Sequence, residues 1–101
     1  DEQEDIPAKV LLLQQVGPSL GRPHADVIRG SRHSRMKELI VQHAGDPYRI
    51  LFAFDPRRVA ILLIGTCKKG VGDKRFYEEY VPLADDLYDE HLRTLKQEGL
   101  I

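Results

Sequence analysis

Residues 48–77 read YRILFAFDPRRVAILLIGTCKKGVGDKRFY. Two apolar runs rich in Ile, Leu, Val and Phe flank Asp55-Pro56-Arg57-Arg58, and a Lys/Gly-rich segment then leads to Arg75-Phe76-Tyr77. Short apolar runs bounded by turn residues predict two adjacent strands buried on both faces, Tyr48–Phe54 and Val59–Thr66. Asp55-Pro56 opens a tight turn between them, because Pro presets the backbone angle of the second turn position. The exit of the second strand carries Lys68, Lys69, Lys74 and Arg75 beside the phenol of Tyr77. That cluster of cations is more than a fold requires.

Upstream, Lys37–His43 alternates, with Lys37, Leu39, Val41 and His43 on one face and Glu38, Ile40 and Gln42 on the other, which is a strand period. Ala44-Gly45-Asp46-Pro47 is the expected hairpin connection. Three strands joined by short turns form an antiparallel meander that needs a helix over at least one face. Ile6, Val10, Leu13 and Val16 recur at helical spacing, predicting a helix that begins near Asp5, is complemented by four early acids, and stops at Gly17-Pro18. A second helical stripe, Phe76, Tyr80, Leu83, Ala84, Leu87, His91 and Leu95, runs to the region of Gln97. Asp73 is its expected N-cap, and Pro82 predicts a kink or a restart. Residues 17–35 hold three Gly and two Pro and read as loop, with room for one helical turn at Ala25–Arg29.

The fold class is therefore α+β: one domain over residues 1–101, a small antiparallel β-meander packed with helices from its N- and C-terminal sides. A chain of 101 residues with 42% hydrophobic and 31% charged residues has ordinary globular composition. No apolar run approaches the roughly 18 residues of a membrane span, and no secretory leader is visible. The single cysteine, Cys67, cannot form an internal disulfide, which fits a cytoplasmic location.

The net charge of −1 hides a segregation. Residues 22–75 hold twelve Lys/Arg against five acids, whereas both ends are acidic. A basic middle suggests a face that meets a polyanion, against the plainer reading of solvated helix faces and charged loops. Arg22, His24, Arg32 and His33 in the long loop, with Lys37, Lys69 and Lys74, are the candidate phosphate contacts for RNA, since Arg offers paired donors to phosphate oxygens. The plainer alternative is a solvated connector.

Metal and cofactor chemistry finds no support. The histidines lie at 24, 33, 43 and 91, without a Cys pair or the spacing of a zinc site. The segment from Lys68 to Arg75 lacks the spacing of a nucleotide-binding loop, and the loop serines lack a nucleophile motif. Cations, a phenol and imidazoles remain. Such a set suits RNA cleavage by the RNA's own 2′-hydroxyl, in which a base takes the 2′-proton, cations stabilise the charge gathering around phosphorus, and an acid protonates the leaving 5′-oxygen.

The segments GPSLGRPH (17–24), GSRHSRMKEL (30–39), VQHAGDPYRILFAFDPRR (41–58), AILLIG (60–65), GDKRFYE (72–78) and LADDLYDEHL (83–92) together resemble the phage-derived branch of the RelE/HigB superfamily, the toxins of type II toxin–antitoxin pairs. The resemblance implies a RelE-like fold and ribosome-dependent mRNA cleavage without a cofactor. It also implies a helix-turn-helix antitoxin as partner, in a possible toxin–antitoxin hetero-oligomer, with the ribosome and mRNA as targets. It assigns Arg49 and Lys68 to charge stabilisation, Arg75 to phosphate binding and Tyr77 to proton transfer or base stacking. The plainer alternatives are that Arg49 pairs with a core carboxylate and that Tyr77 simply packs. Members of the superfamily usually begin with a further strand and helix that this chain lacks. Many carry Arg where Ile40 stands and Asp where Cys67 stands. Two other functions stay open: a non-enzymatic, ParE-like inhibitor of a protein target such as gyrase, and a degenerate homologue that only binds its antitoxin.

Overall fold

The structure, a computed structural model, describes residues 6–101, so the expected helix start at Asp5 and its neighbouring acids lie outside the described residues. Helix α1 spans Ile6–Val16 and ends where Gly17 turns to φ 78°, followed by a 3-10 turn over Gly17–Ser19. Four strands follow: β1 Ala25–Val27, β2 Lys37–His43, β3 Asp46–Phe54 and β4 Ala60–Cys67. They pair antiparallel in chain order, and helix α2, Asp73–Gln97, closes the fold. The α+β meander with helices from both ends is thus the observed architecture.

Strand parity makes the sheet the middle of three layers. Leu39, Val41, Ile50 and Phe52 point to one face and pack with Leu13 of α1, Leu20 and Ala25. On the other face Leu51 and Ala53 pack with Ile28, Met36, and Phe76, Val81, Ala84 and Tyr88 of α2. Phe52 and Phe76 are fully buried on opposite sides of the sheet. Each contributes about 1.5–3 kcal/mol through removal of its ring from water.

Several sequence expectations change. Ala25–Val27 is not a helical turn but a strand paired with Leu39, Glu38 and Lys37, extended by backbone bonds from Ile40 N–H to the His24 carbonyl and from Ile28 N–H to the Met36 carbonyl. Three residues are too few to show a period, so only the partner strand reveals it. The hairpin is tighter than expected: His43 faces Asp46, leaving Ala44 and Gly45 at φ 53° and 82°. Both angles are positive, as in a type I′ turn, whose twist matches the flanking strands. The apolar run of β4 is not buried on both faces, because β4 is the sheet's last strand, with Leu62 44% exposed. Finally, α2 runs unbroken through Pro82, and its buried stripe is Phe76, Val81, Ala84, Asp85, Tyr88 and Leu95, with Leu83 and Leu87 outside. The helix is rotated because Asp85 accepts Ser31 Oγ–H and the Arg32 N–H, so a carboxylate occupies the inner face. Its N-cap is Gly72, and Asp73 is already in the first turn.

Candidate active site

Alternation along β2 and β3 places Glu38 and Arg49 on the α2 face, diagonally across the ladder, since Glu38 faces Leu51 and Ile40 faces Arg49. At the same end of the sheet β4 exits through Cys67, and the Lys68 N–H bonds to the Pro47 carbonyl at 2.7 Å. That bond fixes where the Lys68 side chain begins. The loop then turns at Gly70, φ 75°, and delivers Tyr77 on the first turns of α2.

These four side chains converge. The Tyr77 hydroxyl donates to both Glu38 carboxylate oxygens, at 2.7 and 2.9 Å. Arg49 Nε lies 3.6 Å from the same carboxylate, and Arg49 Nη1 donates to the Tyr48 carbonyl at 3.0 Å. Lys68 Nζ sits 5.0 Å from the centre of the Tyr77 ring and 5.6 Å from that of Phe76, and it pairs with Asp73. Burial pushes the Tyr77 phenol well above its ordinary range, and the bond to Glu38 adds to this. The phenol therefore stays protonated throughout the neutral range. The bond from Lys68 holds the Asp73 carboxyl below its usual value.

The arrangement brings two cations, a neutral phenol and a carboxylate to one end of one face. Of the four expected catalytic residues, Arg49, Lys68 and Tyr77 meet here, while Arg75 is exposed on the first turn of α2. The carboxylate expected as an alternative partner of Arg49 is Glu38. The strand period sets Glu38 on the face opposite Lys37, as a carboxylate standing between Lys37 and the apolar run Leu39–Val41. That oddity was the available signal.

Five of the seven expected RNA contacts, Arg22, His24, Arg32, His33 and Lys37, lie elsewhere. Lys37 lies on the α1 face and donates to the Pro18 carbonyl at 2.8 Å. Arg22 pairs with Asp26, and His24 Nδ1 is 3.0 Å from Lys9 Nζ. Arg32 and His33 are bound to Asp86 and Asp89 of α2. Lys69 pairs with Asp46 and Lys74 with Glu78, both near the cluster. Among the described residues no three His, Cys, Asp or Glu side chains form a group that could hold a metal ion. No helix among them is long and apolar enough to cross a membrane.

Comparison with known proteins adds ancestry to this geometry. Residues 1–89 match the family of phage-derived Gp49-like proteins (DUF891). Two Mycobacterium tuberculosis proteins that carry provisional toxin names are similar to this chain. It is 45% identical to HigB2 over 86 residues, 84% of this chain and 42% of that protein. It is 46% identical to HigB3 over 94 residues, 93% of this chain and 80% of that protein. The chain thus spans under half of one relative and four-fifths of the other. No solved structure matches it.

Proposed function

From the fact that this chain belongs to the phage-derived Gp49-like family and is similar to HigB toxins, we propose that it is the toxin of a toxin–antitoxin pair and cleaves RNA. One observation carries the chemistry: Glu38, Arg49, Lys68 and Tyr77 converge on one sheet end. In this reading Glu38 takes the 2′-proton of the substrate. Arg49 and Lys68 face the extra negative charge that builds on the phosphate oxygens as the 2′-oxygen attacks. Tyr77, held neutral by its surroundings, supplies a proton to the departing 5′-oxygen. The bonds balance without a cofactor: the 2′-oxygen to phosphorus bond forms as the bond to the 5′-oxygen breaks, leaving a 2′,3′-cyclic phosphate and a free 5′-hydroxyl.

Lys68 is pre-engaged by Asp73, so substrate phosphate replaces a carboxylate rather than water at this lysine. The proposed partners are a cognate antitoxin with a helix-turn-helix fold, and mRNA on the ribosome, which would present the strand in the geometry the site needs.

The test is growth arrest and transcript cleavage on translating ribosomes by the full chain and by Glu38→Gln and Arg49→Ala. Removing a general base or a charge-stabilising donor lowers cleavage by about 10²–10³-fold. Undiminished cleavage by both variants rejects the assignment. A second reading, a toxin that binds a protein target without catalysis, is favoured by the mutual satisfaction of Glu38, Arg49 and Tyr77, which resembles a structural network. Arrested cells with intact transcripts and lost DNA supercoiling would select it.

A further inference from the structure

The sheet end opposite the cluster carries cations of its own. In the turn after β3, Asp55 is fully buried at its side chain and its carboxylate is filled from within. It accepts the Arg57 N–H at 2.8 Å and the Val59 N–H at 3.2 Å, the Arg57 guanidinium at 3.0 and 3.1 Å, and lies 3.0 Å from His91 Nε2. The two adjacent arginines thereby divide their roles. Arg57 is consumed in holding the turn, and Arg58 is left pointing outward at φ 67°.

A left-handed conformation costs a side-chain-bearing residue about 1–2 kcal/mol relative to its ordinary backbone. Arg58 takes the left-handed position that closes this turn, its N–H donating to the Asp55 carbonyl at 2.7 Å, where glycine would sit without strain. Arg58 borders a cavity of about 290 Å³ together with Ser34, Arg35, Lys37, Pro18 and Phe54. No carboxylate among the described residues pairs with Arg35 or Arg58, and the Asp55 charge on the wall is already neutralised. Lys37 is steadied against the cavity by the Pro18 carbonyl. Three cations and a hydroxyl thus face one space. Beside it, sharing Pro18, Phe54 and Arg58, lies an apolar groove of about 300 Å³ bordered by Val59 and Leu62. A phosphate recess next to an apolar slot matches a nucleotide's phosphate and base.

We propose that this cavity is a second, non-catalytic subsite that seats a backbone phosphate of an RNA strand, with the flanking base against Phe54 and Val59. The choice of RNA as ligand rests on the reading of the chain as an RNA-cleaving toxin. Arg49 and Phe54 are five residue steps apart along β3, about 17 Å at roughly 3.3 Å per step, so the two sites are distinct positions on one molecule.

The experiment titrates the full chain into a labelled, non-cleavable 2′-O-methyl RNA oligonucleotide and follows anisotropy at several salt concentrations. The double variant Arg35→Gln, Arg58→Gly is expected to bind at least about tenfold more weakly and to lose about 0.7 from the salt slope, the value for one phosphate contact on a single strand. Arg58→Gly relieves the left-handed backbone, so the fold should persist. Arg58→Lys should recover most of the affinity. Inorganic phosphate should shift the backbone amide resonances of residues 34–37 and 57–58 in the wild type but not in the double variant. Unchanged affinity and slope in the double variant overturn the proposal. So does displacement of the RNA by polyglutamate as effectively as by polyphosphate of equal charge, which would identify an acidic polypeptide as the ligand. If the wild type cleaves nothing while the double variant still loses RNA binding, the catalytic reading falls and the subsite stands.

Discussion

Single residues in this protein are set by the partners that geometry gives them. Asp73 neutralises Lys68 in the unliganded site although its own side chain is 80% exposed. Asp73→Asn is therefore expected to raise the affinity for a non-cleavable RNA by about three- to tenfold, because the substrate phosphate no longer competes with a carboxylate for Lys68. An anisotropy titration checks it. Asp55 is the second case. Burial pushes its carboxyl upward, but the bonds from His91, Arg57 and two backbone N–H groups outweigh this and hold it below its ordinary value of 3.8. A carboxyl whose folded value is depressed stabilises the fold fully above its unfolded value, near pH 4, and loses that contribution as pH falls through the folded value. Urea midpoints measured from pH 6 to pH 2 should accordingly show wild type well above Asp55→Asn at pH 6, with the gap shrinking below about pH 4.

At the scale of elements, alternation places β2, turn-bounded apolar runs place β3 and β4, and the 3.6-residue period places both helices, because burial imposes those patterns directly. What they miss is short or conditional. β1 exists only through its pairing with β2, and the inner face of α2 turns on Asp85, which hydropathy assigns to water. Pro82 lacks the N–H that would close one helical bond, yet α2 continues, with the ring exposed. Pro82→Ala restores that bond and removes the ring's clash with the preceding turn, so it should stabilise the fold by up to about 3 kcal/mol, read as a raised Tm. No gain in Tm would mean that the helix has already relaxed around the ring.

Across the whole molecule, the loop between β1 and β2 is tied to α2 by a polar clasp. Ser31 and the Arg32 backbone bond to Asp85, while Arg32 and His33 reach Asp86 and Asp89. The basic loop and the acidic helix that the charge map set apart thus neutralise each other. Of the clasp, the Asp85 contacts are the buried part. Asp85→Ala leaves a hydroxyl and a backbone N–H without their acceptor and should cost about 2–4 kcal/mol in urea unfolding, whereas Asp86→Ala, on the exposed side, should cost under about 1 kcal/mol. Equal costs would show that the clasp is held by surface charge rather than by the buried carboxylate.

The sequence by itself determined the meander and its two covering helices, because alternation, apolar runs and turn residues are local properties, and it set Lys68 and Tyr77 beside one cation-rich strand exit. It also carried the family resemblance. The tertiary structure alone decided which cations are free. Arg32, His33 and Arg57 find carboxylates distant in sequence or across a turn, while Arg35 and Arg58 find none among the described residues. It likewise decided that Glu38 joins Arg49 and Tyr77, since that meeting depends on strand register and on where α2 settles over the sheet. Charge is written in the chain; its cancellation requires neighbours that only folding supplies.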